Sequence, residues 1–257
     1  MQESITISSD PSVRYLLRLG DTCLIHAQRL GEWCGHAPII EEDIALSNIA
    51  LDLIGQARGI LTRAGQLDGQ QLDEDKLAFL RDERDYLNPT LVELPRGDFA
   101  VTTVRNLMVA ALLELLWTRL QTSADAEVAA VAGKAVKEAR YHHVHAADWF
   151  LRLGAGTTES RRRIEAALDR LWPYTGELFQ PDAVDEAAAA SGLGPRWAEL
   201  REPWVAAMRD ALDATELAMP RDTPFLSSGR LGIHSEHMGH MLAEMQHLQR
   251  SYPGGVW

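Results

Sequence analysis

The chain is poor in cysteine. Cys23 and Cys34 are its two thiols in 257 residues. The surrounding pattern predicts one helix carrying both about three turns apart, too far for a disulfide. A reduced, cytoplasmic protein is therefore expected. Long apolar runs are also missing. The longest, Leu107 to Trp117, is interrupted by Glu114 and falls short of a membrane span. The opening MQESITISSDPS has no apolar stretch of the kind a secretory signal needs, and none is expected. Positive charge is scarce. The 25 Lys and Arg are outnumbered by 37 Asp and Glu, giving a net charge of −12. Such a chain has no global electrostatic drive toward nucleic acid or an anionic membrane. No glycine-rich loop opens a helix after a strand, which excludes the usual phosphate cradle. No serine or cysteine sits in a nucleophile motif. There is no strand-like alternation of useful length and no internal repeat.

What is present is helical periodicity. Apolar residues make up 46% of the chain, enough for a substantial core. Pro11 leads into a first helix from Ser12 to about Cys34, ended by Gly35 and Pro38. A second runs from about Ile39 to Gly65, with Glu41, Glu42 and Asp43 at its positive end. After a mixed stretch with a short helix near Asp73 to Tyr86, a third long helix spans Phe99 to Thr122. Ser123 is read as the cap of a fourth, ending near Leu153. Thr157 or Thr158 caps a fifth, to about Glu177. Shorter helices follow at Asp182 to Ala190 and Pro195 to Leu217. Pro220 to Gly232 reads as a loop, and Ser235 to Ser251 as a last helix. The expectation is a single all-α domain over residues 1–257, with a four-helix bundle core and additional C-terminal helices. On the second helix, Ile40, Ile44, Leu51 and Ile54 lie on one side, and Leu46, Ile49, Leu53 and Ile60 nearly opposite. A helix apolar on two sides is expected to pack against neighbours on both.

Carboxylates and histidines on bundle helices raise the question of metal. The di-metal template asks for a lone Glu on each of two helices and Glu-x-x-His on each of the other two. The fourth helix offers Glu138, His142, His145 and Trp149 on one wedge, with His143 pointing to solvent. Its spacing misses the template, because Tyr141 stands three after Glu138. Glu114 stands alone in Leu112-Leu113-Glu114-Leu115-Leu116-Trp117, where a carboxylate needs a metal, a proton or a cation such as Arg58, Lys137 or Arg140. The second helix should bring another Glu-x-x-His. It brings Asn48, Asp52 and Gln56 instead, and no histidine lies between His36 and His142. The first helix offers Asp21, His26 and Glu32 but no replacement pair. A literal match, Glu244-Met245-Gln246-His247, sits on the last helix with Glu236 and His240 on its face, outside the four long helices. It reads as a polar stripe, or else a peripheral adventitious metal site. Arg161-Arg162-Arg163 reads as a solvated face, and most of the tryptophans as core.

Several blocks then stand out together: Arg18-Leu19-Gly20-Asp21, QRLGEWCGHAP from Gln28 to Pro38, NIALDLIGQAR from Asn48 to Arg58, FLRDER from Phe79 to Arg84, KEARYH from Lys137 to His142, HSEHMG from His234 to Gly239 and LAEMQHLQR from Leu242 to Arg250. They resemble the structural-subunit family of the bacterial phenylacetyl-CoA epoxidases, also called phenylacetate-CoA oxygenases, from about Tyr15 to Trp257. The resemblance implies a ferritin-like fold and a multicomponent monooxygenase of aerobic phenylacetate catabolism. In it a sister chain, the catalytic A subunit, holds the di-iron centre and binds the CoA thioester, and the C subunit is its structural partner. A small B subunit and a reductase with FAD and an iron–sulfur centre complete a system that consumes dioxygen and NADPH. No catalytic, cofactor-binding or metal residue is then expected in this chain, and none is carried onto His247. A homodimer is allowed when the chain is isolated.

Three readings stay open. The chain is a metal-free structural subunit, or a self-sufficient di-metal oxidase using Glu114, Glu138, His142 and Asp52, or a self-assembling metal-storage protein. The histidine missing from the second helix favours the first. In every case some of Asp52, Glu114, Glu138 and His142 are expected to approach one another, held by hydrogen bonds or by Arg58 or Lys137.

Overall fold

Asp10 starts the first helix. Its carboxylate accepts from the backbone N–H groups of Ser12 and Val13, and Pro11 fills the first turn, where no N–H is needed. This helix, α1 (Pro11–Gly31), is followed by α2 (Ile40–Asp68), α3 (Glu74–Phe79), α4 (Thr90–Glu93), α5 (Phe99–Leu120), α6 (Ala126–Gly154), α7 (Thr158–Leu171), α8 (Ala183–Ala190), α9 (Arg201–Ala214), α10 (Glu236–Met245) and α11 (His247–Ser251). The computed structural model describes residues 4–255. Within them the regular structure is helical, apart from one isolated bridge between Ser228 and Ile233. Met1 to Glu3 and the end of the family-like region, Val256 and Trp257, lie outside the described residues.

The expected four long helices are present. Short connections make α1 and α2 one antiparallel pair and α5 and α6 another, and α2 lies against α6. Four of the shorter helices build a second layer over α1 and α5, two of them also reaching α6, while α3 lies against α2. In that layer α8 and α4 cover α1, while α7 and α9 cover α5. The consequence is an unequal bundle. α5 is buried along most of its length, whereas the outer sides of α2 and α6 meet solvent. Of the two apolar sides of α2, the one carrying Leu46, Ile49, Leu53 and Ile60 enters the core, and the one carrying Ile40, Ile44, Leu51 and Ile54 is uncovered. The expectation that both sides pack within the chain is corrected here. Averaged over a window, α2 and α5 are each long and apolar enough to cross a membrane, Glu114 notwithstanding. However, 83% of that window of α5 is buried inside the protein, against 44% for α2.

Local chemistry explains the differences at the boundaries. α1 stops at Gly31, so exposed Cys34 lies beyond it and buried Cys23 within it; both are free thiols. α2 runs past Gly65, whose missing side chain admits the Leu72 backbone: a Cβ there would sit 2.1 Å from the Leu72 carbonyl oxygen. Gly69, at φ +79, ends the helix instead. α6 is capped by Asp125, not Ser123; the carboxylate accepts from Glu127 and Val128 N–H. Ser123 donates to the Leu193 carbonyl. The fifth helix stops at Leu171, because Pro173 diverts the chain into a 3-10 segment over Trp172–Phe179. The short helix expected to reach Tyr86 breaks after Phe79 and resumes as a 3-10 turn at Glu83–Asp85.

Candidate functional site

The centre of the bundle is crossed by hydrogen-bonded side chains from all four long helices. Gln56 on α2 is the hub. Its Oε1 accepts from Trp117 Nε1 on α5 at 3.0 Å and from Cys23 Sγ on α1 at 3.7 Å. Its Nε2 donates to Glu138 Oε2 on α6 at 3.1 Å. Glu138 turns its other oxygen outward, 3.8 Å from Lys134. Burial, with the nearby Asp21 and Glu138 charges, pushes the Cys23 thiol far up, so it stays neutral.

One turn away lie His26 on α1, Asn106 on α5 and His142 on α6, around a small pocket of about 10 Å³ also lined by Ile49, Leu53, Val109, Ala110 and Leu113. His26 Nδ1 and Asn106 Oδ1 are buried without a hydrogen-bond partner among the described residues. Burial above all lowers His26 to about 3, helped by the positive Arg105 and by His142. Arg105 is itself lowered to about 9 by burial. His142 is lowered too, first by burial, against the pull of the Asp52 carboxylate 3.0 Å from its Nε2. Both imidazoles are therefore neutral at neutral pH. Asp52 lies half-exposed on the seam between α2 and α6, and a third rung follows where His145 Nε2 meets buried Glu42 at 3.2 Å.

Of the four residues expected to converge, Asp52 and His142 touch, while Glu138 reaches α2 through Gln56. Glu114 stands apart on the other side of α6. There it accepts from Arg140 Nε at 3.2 Å and lies 2.8 Å from His143 Nδ1. His143 thus faces Glu114 and not open solvent. Arg58 is engaged elsewhere, with Glu74 at 2.9 Å, and does not hold the interior carboxylates. Of the strip Asn48, Asp52 and Gln56, only Gln56 faces the centre. Trp149, grouped with these residues in sequence, packs edge-on against Phe99.

The donor set can be tested against a di-metal centre. Apart from Glu42 in the first turn of α2, the buried polar residues of α2 and α6 are Gln56 and His142, and three positions before them stand Leu53 and Ala139, both buried. The Glu-x-x-His frame is thus filled as Leu53-x-x-Gln56 and Ala139-x-x-His142. At this level α1 brings Cys23 and His26, and α5 brings Asn106, Ala110 and Leu113, where carboxylates are required. These residues do not fit a pair of metal ions. Among the described residues, no group of three or more His, Cys, Asp or Glu is arranged to hold a metal. The peripheral Glu-x-x-His fares no better. Gln246 turns inward to donate to the Arg81 carbonyl at 3.0 Å and the Tyr86 hydroxyl at 2.9 Å, ending α10 before His247. Glu236, His240, Glu244 and His247 are all exposed, and the break separates His247 from the helix carrying the other three.

The densest charge network lies where sequence reasoning placed none. Arg18 pairs with Asp182 and Asp185, each at 2.6 Å, and Arg230 from the expected loop pairs with Asp185 at 2.8 Å. Buried Arg81 clasps Asp21 in a bidentate pair, and Asp21 also accepts from Leu87 N–H. Glu93 accepts from Asn88 and Ser235 and lies 2.6 Å from His234. These pairs fasten the outer layer to the bundle. Of the arginine triplet, Arg162 and Arg163 pair with exposed Glu159, while Arg161 donates to the Thr215 and Glu216 carbonyls that end α9.

Comparison with known proteins places this architecture. Residues 1–257 match the family described as phenylacetic acid catabolic protein. The chain is 47% identical over 243 residues to the C subunit of the 1,2-phenylacetyl-CoA epoxidase of Escherichia coli strain K12, covering 95% of this chain and 98% of that protein.

Proposed function

The chain belongs to the phenylacetic acid catabolic protein family, and on that premise we propose that it is the component of a phenylacetyl-CoA epoxidase that supports catalysis without performing it. In this reading a ferritin-like sister chain, the A subunit, holds the di-iron centre. A small B subunit and an FAD and iron–sulfur reductase deliver electrons from NADPH, and the product is the ring 1,2-epoxide. The assembly works in the cytoplasm. One observation carries the non-catalytic role: Leu53 and Ala139 occupy the places where the two Glu-x-x-His frames need their carboxylates. What fills the centre is Gln56, which bonds to Cys23 on α1, Trp117 on α5 and Glu138 on α6 and so ties the four helices in register, with the neutral His26 and Asn106 one turn away.

The test is reconstitution of the complex with reductase, phenylacetyl-CoA and NADPH, reading iron per assembly and product formed. With His142→Ala in this chain, iron is expected unchanged, and turnover falls only as far as assembly weakens. A true ligand would behave otherwise, since its loss abolishes turnover in an intact complex. Loss of iron together with all turnover, from a complex that still elutes whole, overturns the reading in favour of a self-sufficient di-metal oxidase.

A further inference from the structure

We propose that the uncovered face of α2 and α6 is the surface on which the di-iron sister chain docks, through a pair of helices bearing its own aliphatic ridge. This location rests on the reading of the chain as an epoxidase component given above. On α2 the face is a stripe of Ile40, Ile44, Leu51 and Ile54, exposed by 71%, 57%, 64% and 39%. Their spacing of four, seven and three is that of one helix side, the ridge that packs into the grooves of another helix. On α6, Tyr141 and Val144 extend it, both more than half exposed. Single exposed apolar residues are ordinary, but a contiguous stripe of six is not. Ile40 to Ile54 spans about 21 Å at 1.5 Å per residue. Across two helices this gives on the order of 400 Å², the apolar centre of a standard interface of about 800 Å² per partner.

The face is already built for a rigid partner. Beneath it the rungs Glu42–His145, Asp52–His142 and Gln56–Glu138 tie α2 to α6, so little ordering is left for binding. Every other long helix is roofed by the chain's own outer layer. The rim carries charge of both signs. Exposed Lys134 and Lys137 flank the half of α6 near Gln56, and exposed Glu41 flanks the opposite end, where exposed Asp148 lies 4.0 Å from Arg152. That polarity asks for a protein partner with carboxylates opposite the lysines and cations opposite Glu41. An anionic lipid surface would instead be repelled at the acidic end and by the net charge of −12.

Leu51→Asp and Val144→Asp test the location, because both side chains are exposed and their replacement leaves the fold intact by circular dichroism and thermal melting. Leu231→Asp, exposed on a segment of the outer layer, is the control. With full-length chains co-expressed, the wild type and the control are expected to co-elute with the A subunit. Each face variant should bind at least 100-fold more weakly. Face variants that bind the A subunit like the wild type overturn the location and leave the functional reading standing. Failure of the wild type to bind it overturns both. A homodimer lost in the face variants, with binding to the A subunit unchanged, reassigns the face to a second copy of this chain.

Discussion

His26 should make the protein acid-sensitive by an amount its surroundings define. The ring is buried beside Arg105, and its pKa falls from an ordinary value of 6.5 to about 3. A base whose folded-state pKa is depressed takes up its proton more readily when the chain unfolds. Stability is therefore complete above about pH 6.5 and declines as pH falls from there toward about 3. Each pH unit in that window costs about 1.4 kcal/mol. At pH 5, one and a half units below the unfolded value, His26 alone removes roughly 2 kcal/mol, a large share of a typical domain's 5–15 kcal/mol. His26→Leu abolishes the titration and suits the site, which is lined by Ile49, Leu53, Val109 and Leu113. Urea unfolding followed by tryptophan fluorescence at pH 8, 7, 6 and 5 measures the effect. The variant should lie within about 1 kcal/mol of the wild type at pH 8, a swap that neither empties nor overfills the core. By pH 5 it should have gained about 2 kcal/mol relative to the wild type. Parallel stability curves across this range would refute the argument, since every other titrating group is common to both proteins.

Three further outcomes are expected. His234 behaves oppositely: burial opposes its protonation, but the Glu93 carboxylate and the Tyr86 carbonyl prevail and raise its pKa. Its contribution is full below about pH 6.5 and is lost as pH rises through the folded value, so His234→Gln should cost about 1.5–3 kcal/mol at pH 6 and distinctly less at pH 9 by the same unfolding assay. Asp21→Asn leaves buried Arg81 without its counter-charge and should destabilise by about 3–5 kcal/mol, read as a lowered urea midpoint. Glu114→Gln should cost under about 1 kcal/mol, because Arg140 is largely exposed and the pair is screened by water; a larger loss in thermal melting would mean the carboxylate is held more deeply than its partners indicate.

Much of the bundle was legible in the sequence, because 3.6-residue periodicity over twenty or more residues has few other meanings. The boundaries were less so. Ser123 and Asp125 are equally good caps by type, and only the position of Leu193 decides between them. Gly65 signals a helix end, yet serves close approach of the Leu72 backbone, contributed by residues outside the helix. The outer stripe of α2 carries the same pattern as a core stripe, since burial by a partner and burial by the chain ask for the same side chains. In the site, Glu138 and His142 attracted notice by type. The informative residues were Leu53 and Ala139, which are silent in a search for ligands and speak only once the buried frame is known. The Arg18–Asp185–Arg230 cluster joins residues too distant in sequence for any local pattern to reveal.

That cluster has a consequence for the timing of synthesis. Arg18 emerges early and is buried in α1, yet Asp182 lies 164 residues later and the Arg230 carbonyl 212 residues later. At 5–20 residues per second, the nascent chain carries an uncompensated guanidinium for roughly 8 s at the least and 30 s or more at the slow end. During that interval α1 and α2 can pair through their aliphatic faces, but the helix cannot settle at full depth without stranding a charge. The first helix to leave the ribosome is therefore among the last to be locked, and a product truncated before Asp182 should be handed to chaperones, even though all four long helices have been made.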